Sequence, residues 1–121
     1  MALRALRGAI TCDEDTRSEI EAKTTLMVKE LFARNGLTAE DVVSMLFTTT
    51  PDLHAEFPAT AARSALGLDD VALMGAQEQD VPHGLRRCIR VLVHCETDRP
   101  RADLHHVFLE GAADLRPDLP Q

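Results

Sequence analysis

Apolar and polar positions follow two different periods along this chain, and each change of period marks an element. From Leu3 to Ile10 the chain is largely apolar, and it then enters the polar turn Thr11-Cys12-Asp13-Glu14-Asp15. This predicts a strand on which Leu3, Ala5, Arg7 and Ala9 share one face. Ile20, Thr24, Met27, Val28, Leu31 and Phe32 then recur at helical spacing and form one apolar stripe. Thr16-Arg17-Ser18-Glu19 matches a capping box at the start of that helix, and Asn35-Gly36 supplies a left-handed stop. Lys23, Lys29, Glu30 and Arg34 fall on its solvent side.

Thr38-Ala39-Glu40-Asp41 predicts one helical turn. Val42 to Thr49, rich in β-branched and apolar residues, predicts a strand buried on both faces, broken by Pro51-Asp52. Pro58 suits the first turn of a second helix running through Ala59, Ala61, Ala62 and Ala65 to Gly67. Val71–Ala76, Ile89–Glu96 and His106–Leu109 supply three further strands. The two prolines in Leu115–Pro120 predict an extended end, within a tail, 111–121, expected to be mobile. The order β-α-β-α-β-β-β predicts an α/β or α+β fold: one domain over 1–121, with a single mixed sheet of about five strands and helices on one face. A symmetric partner subunit is the natural cover for the other face.

Composition narrows the function. The chain has 121 residues, 45% hydrophobic and 27% charged, a globular balance. Aromatics are 3%, with no Trp and no Tyr, so the core is aliphatic and base stacking on exposed rings is disfavoured. A net charge of −7 argues against a nucleic-acid partner, and an anion site must overcome it with local positive charge. Three cysteines, Cys12, Cys88 and Cys95, lack disulfide or zinc spacing and read as reduced thiols. The charged start Met1–Arg7 is no signal h-region, and no run reaches the roughly 20 apolar residues of a membrane span. These features predict a cytoplasmic protein with no membrane association.

The usual catalytic signals are missing from the sequence. No serine sits in a nucleophile elbow and no Gly-rich loop forms a phosphate cradle. His54, His83, His94, His105 and His106 share no metal-ligand spacing and read as surface or structural groups. The arginines carry more information. Arg7 stands among Leu3, Ala5 and Ala9 on its strand face, and Arg90 interrupts Cys88-Ile89-Arg90-Val91-Leu92-Val93. A buried guanidinium needs an anionic partner. Either arginine alone is ordinarily matched by an internal carboxylate or an exposed edge, but two in one small domain favour an anion site. The guanidinium fork suits a carboxylate. Glu78, in Gln77-Glu78-Gln79-Asp80, reads by itself as a wet turn residue, Arg63 as helix surface, and Arg86 and Arg87 as solvent-facing charge.

These residues fall in blocks that span nearly the whole chain. They are Leu6-Arg7-Gly8-Ala9, Thr50-Pro51-Asp52-Leu53-His54-Ala55-Glu56-Phe57-Pro58-Ala59, Gln77-Glu78, Asp80-Val81, Gly84-Leu85, Cys88-Ile89-Arg90-Val91, His106-Val107 and Leu115-Arg116-Pro117-Asp118-Leu119. In this the sequence resembles the monofunctional trimeric α/β chorismate mutases, a type unrelated to the all-helical ones. The resemblance implies a Claisen rearrangement of chorismate to prephenate, toward phenylalanine and tyrosine. It implies a homotrimeric pseudo-barrel with a site at each subunit interface, and chemistry without metal or cofactor. It assigns Arg7 to a substrate carboxylate, Arg90 to the other carboxylate and the ether oxygen, and Glu78 to the ring hydroxyl. It brings Phe57, Ala59 and Arg63 from the neighbouring subunit, lines the pocket with Leu73, Met74 and Gly75, and closes it with Leu115 and Arg116.

Three positions depart from the family pattern. Phe108 stands where a tyrosine is frequent, Thr60 where a lysine is, and Gly75 where a cysteine is. They motivate an alternative, a non-catalytic trimeric sensor of a small dicarboxylate on the same fold. A trimeric deaminase of imine intermediates is a third reading, and it lacks these blocks.

Overall fold

The computed structural model describes residues 1–118. Five strands and two helices follow one another: β1 Ala2–Thr11, α1 Arg17–Asn35, β2 Val42–Thr49, α2 Pro58–Leu66, β3 Ala72–Gln77, β4 Cys88–Thr97 and β5 Val107–Leu109. Short 3₁₀ turns cover Ala39–Asp41, Arg101–Asp103 and Glu110–Ala112. The strands form one mixed sheet ordered β3-β2-β4-β1-β5. β4 runs antiparallel to both β1 and β2, while β3 joins β2 and β5 joins β1 in parallel. This is the mixed sheet that the order of elements predicted.

Local chemistry accounts for the helices. Thr16 Oγ1 accepts from Glu19 N at 3.2 Å and caps α1. Glu19 does not complete the box: its carboxylate turns back to Asp13 N at 2.8 Å. Gly36, at φ 62°, ends α1 in the left-handed conformation that costs a glycine least. Pro58 opens α2 within its first turn, and Gly67 at φ 65° closes it. Ile20, Met27, Val28 and Leu31 of α1 and Ala62 of α2 pack on Leu6, Ile10, Met45, Phe47, Ile89, Val91 and Val93. These sheet residues define the helix-covered face. At Gly8 the helix comes so close that an added Cβ would meet Leu31 Cδ1 at 2.9 Å and Val91 Cγ1 at 3.0 Å.

The opposite face differs from expectation. β2 is not buried on both sides: Val43 is 47% and Leu46 36% exposed. Both helices lie on one face of the sheet, and among the described residues Leu46 is left uncovered on the other. The far face carries Leu3, Ala5, Arg7 and Ala9 of β1, Cys88, Arg90, Leu92 and His94 of β4, and Ser44, Leu46 and Thr48 of β2.

The described part of the stretch predicted to be extended, Leu115–Asp118, bends at Leu115 and turns at Pro117 and Asp118. After β5 the chain turns through Glu110, whose φ of 53° is left-handed, and buries Ala112. Ala112, with Leu115 against it, packs on Ala9, Cys88 and Phe108 and forms a second small core on the far face. Gly111 N donates to Thr11 Oγ1 at 2.9 Å, and Lys23 pairs with Glu110. Leu119 and Pro120, part of the same expectation, lie outside the described residues.

Candidate active site

The sheet register builds the site on the far face. Arg7 stands opposite Leu92, and Ala9 opposite Arg90. Arg7 and Arg90 are therefore diagonal neighbours on one face, about 7–8 Å apart by sheet geometry. On the other flank Thr48 is the direct partner of Arg90. Thr48 Oγ1 donates to Glu78 Oε2 at 3.1 Å, and Glu78 N donates to Thr49 O at 2.8 Å. These bonds lift Glu78 out of the wet turn that its sequence context suggested. Glu78 Oε2 lies 3.5 Å from Arg90 Nε. The approach lacks hydrogen-bond geometry, and Arg90 Nε is buried without a hydrogen bond. The ion-pair distance therefore marks electrostatic attraction and not a satisfied donor.

Arg7, Leu46, Thr48, Glu78, Arg90 and Leu92 line a recess of about 270 Å³. A neighbouring hollow of about 580 Å³, running from Thr50 to Arg86, shares Glu78 and Arg90. Arg7 differs from Arg90 in having no carboxylate at ion-pair distance among the described residues. Burial lowers the pKa of Arg7, and the positive charges of Arg90 and Arg116 lower it further, with Glu78 opposing them. Arg7 and Arg90 thus share the one carboxylate of Glu78, while Arg116 is paired with Asp118 at 2.9 Å. Leu115 and Arg116 reach this end of the sheet on the folded tail. The buried Phe108 supplies an apolar wall beside Ala9 and Cys88. The thiols offer no nucleophile: burial, with Glu19 adding, pushes Cys12 up to about 12, and burial raises Cys88 and Cys95.

The remaining candidates do not meet this group within the chain. Phe57, 71% exposed, lines another recess of about 430 Å³ with Pro58, Gly75 and Gln77. Ala59, Thr60 and Arg63 lie on α2, and Leu73, Met74 and Gly75 on β3, an outer strand of the sheet. The candidates therefore divide into two groups. One holds Arg7, Glu78, Arg90, Phe108, Leu115 and Arg116; the other holds the residues of α2 and β3 with Phe57.

Arg87 corrects the sequence reading. It is not solvent-facing charge. Its backbone, at φ 46°, donates to both oxygens of Asp52 at 3.0 Å, and its Nε donates to Cys12 O at 3.1 Å. Thr50 Oγ1 accepts from Cys88 N at 2.9 Å and donates to Asp52. The Thr50-Pro51-Asp52 block thus holds the start of β4, two residues before Arg90. Thr48, His106 and Asn35 were also missed as supports, because each acts on residues remote in sequence. The alternation of Leu46 and Thr48 on β2 was the one available signal, and it does not reveal the register.

A cationic recess on one sheet face, facing a single carboxylate and holding no reactive thiol, defines a binding domain for a small polyanion. The sequence matches the family model for chorismate mutase type I over residues 3–119. It is 45% identical over 119 residues to "Chorismate mutase AroH" of Bacillus subtilis (strain 168), covering 98% of this chain and 94% of the relative. It is 42% identical over 118 residues to "Chorismate mutase AroH" of Thermus thermophilus, covering 97% of this chain and 96% of that one. The fold superimposes on "Chorismate mutase from Clostridium thermocellum Cth-682" with a TM-score of 0.87 and 47% identity, over 90% of this chain and 96% of that chain. The chain belongs to the chorismate mutase type I family.

Proposed function

We propose that this chorismate mutase performs its isomerisation on the far face of the sheet, with Arg7, Arg90 and Glu78 as the groups that touch chorismate. The observation that carries this is the meeting of two strand guanidiniums on one face with a single opposing carboxylate. A rearrangement of chorismate to prephenate breaks a C–O bond and forms a C–C bond within one molecule. It needs no nucleophile, metal or cofactor. The protein's task is to hold a reactive conformer and to stabilise charge growing on the ether oxygen.

Each residue has a role in that task. Arg7 anchors one carboxylate. Arg90 takes the other, and its buried Nε–H finds an acceptor in the ether oxygen. A fixed guanidinium attracts the developing negative charge more strongly than the ground-state ether, and that difference is what accelerates the step. Glu78 accepts a hydrogen bond from the ring hydroxyl. Leu115 and Arg116 close over the recess from the tail. Phe108 gives an apolar wall without a hydroxyl contact.

The second group of candidates reaches the same recess from a neighbouring copy in a homotrimer. Phe57, Ala59, Thr60, Arg63, Leu73, Met74 and Gly75 do not line the recess of Arg7, Glu78 and Arg90, and Leu3, Val43, Leu46 and Met74 are exposed apolar residues that a partner would cover. Among the described residues no helix is long and apolar enough to cross a membrane. A cytoplasmic setting, one domain over 1–121, and a place in phenylalanine and tyrosine synthesis belong to the same reading. The test is to incubate purified protein with chorismate and follow its loss and the appearance of prephenate. Turnover above the uncatalysed rate is expected. Tight binding of chorismate with no turnover would instead establish the dicarboxylate sensor.

A further inference from the structure

The backbone of Arg7 is held by an unusual partner. β1 pairs with β5 from Gly8, opposite Val107, onward. One residue earlier no β5 carbonyl receives the Arg7 N–H. It donates to the imidazole Nδ1 of His106 at 2.9 Å. His106 is itself fixed from the helix side. The buried Asn35 at the end of α1 donates to His105 O at 2.8 Å and accepts from His105 N at 2.8 Å. The side-chain amide thus grips the peptide next to His106 as a neighbouring strand would. A second donation, to Leu31 O at 2.8 Å, locks Asn35 onto its helix.

From this geometry we infer that His106 is a positioning residue for Arg7, acting only as a neutral imidazole whose Nδ1 accepts the Arg7 N–H and whose proton sits on Nε2. The inference rests on Arg7 being a substrate anchor. A proton on Nδ1 would set two donors against each other and free the backbone from which the Arg7 guanidinium projects. A misplacement of about 1 Å in such a group costs up to about a hundredfold in rate.

The surroundings keep His106 neutral. It lines a recess of about 690 Å³ with Arg4 and Ala5 of β1, His94 of β4, and Arg101 and Leu104. Arg7 faces it from β1, Arg116 from the tail and His105 from its own segment. No carboxylate lines this recess among the described residues. Burial first, then Arg116 and Arg7, lower its pKa below the ordinary 6.5. Neutral pH therefore leaves the latch intact, and acid opens it.

The test compares wild type, His106→Asn and His106→Leu in kcat/KM against pH, with nitrogen-15 NMR of the His106 ring. Asparagine offers an oxygen at about the reach of Nδ1 and does not titrate; leucine offers no acceptor. The wild type should lose kcat/KM on the acid side. His106→Asn should stay within a few-fold of wild type at neutral pH and lose that acid limb. His106→Leu should fall by about ten- to a hundredfold, chiefly through KM, at every pH. The ring should titrate below its ordinary value as the Nε2–H tautomer. An Nδ1–H tautomer, a titration at or above the ordinary value, or an acid limb unchanged in His106→Asn would overturn the inference. The NMR arms need no turnover, so they decide it even if the chorismate assay fails.

Discussion

In the proposed mechanism Arg90 is the residue on which the chemistry turns. Its Nε is buried, lacks a hydrogen bond and lies 3.5 Å from Glu78 Oε2. That is a costly arrangement for a free protein, because a buried donor without an acceptor destabilises by about 1–3 kcal/mol. Its benefit comes when an acceptor gains charge there. Arg90→Ala is expected to lower kcat by about 10²–10³-fold, or about 3–4 kcal/mol, as for other preorganised donors to a developing oxyanion. Arg90→Lys is expected to fail almost as badly, since an ammonium cannot reproduce the fork. Single-turnover kinetics with chorismate checks both, and near-normal kcat in either would contradict the role given to this side chain. Arg7 behaves differently. Among the described residues it has no carboxylate at ion-pair distance, and burial, Arg90 and Arg116 lower its pKa, so in the proposed mechanism its task is charge matching with a bound anion.

Elements decide where those side chains point. The loop before β4 is held by Asp52, whose carboxylate accepts from the Arg87 backbone and from Thr50. Burial would raise the Asp52 carboxyl, but the bonds from Thr50 and the Arg87 backbone outweigh it and hold the group below its ordinary 3.8. A depressed folded-state value means stability that is present above 3.8 and lost as pH falls through the folded value. Asp52→Asn is therefore expected to destabilise the fold by about 1–2 kcal/mol at neutral pH. The gap from wild type should shrink as pH falls below 3.8 and close once pH has passed through the folded-state value, where the wild-type carboxyl is protonated too. Urea unfolding at pH 7 and pH 3 checks it, and a gap that persisted in acid would show that the charge is irrelevant. Strands and helices were legible because period 2 and period 3.6 are local signals, as at Leu3–Ile10 and Ile20–Phe32. Arg7 and Arg90 were legible because charge inside an apolar strand breaks its pattern. Arg87, His106 and the turn at Glu110 were not. Their partners, Asp52, Arg7 and Lys23, lie far away in sequence, and no local period encodes such a meeting. The exposed side of β2 differs from a strand buried on both faces because its apolar residues are patterned for a cover that the described residues of one chain do not supply.

At the scale of the whole molecule the candidate site is divided, with Arg7, Glu78 and Arg90 on one surface and Phe57 and Arg63 on another. If a cyclic trimer joins them, two crippled chains can repair each other. Arg90→Ala and Arg63→Ala subunits, each nearly inactive alone, are expected to recover about a quarter of the wild-type activity when unfolded together, mixed equally and refolded. Recovery of none would place both residues in the same subunit's site. The strand order β3-β2-β4-β1-β5 has a consequence for the birth of the protein as well as for its work. β1 leaves the ribosome first, yet its two neighbours, β4 and β5, begin at Cys88 and Val107. For most of synthesis the strand carrying Arg7 has no hydrogen-bonding partner on either edge, and unpaired edges recruit other chains. Nascent chains released before Cys88 should therefore aggregate through their first strand, while α1, nearest in sequence, can shield only one of its faces.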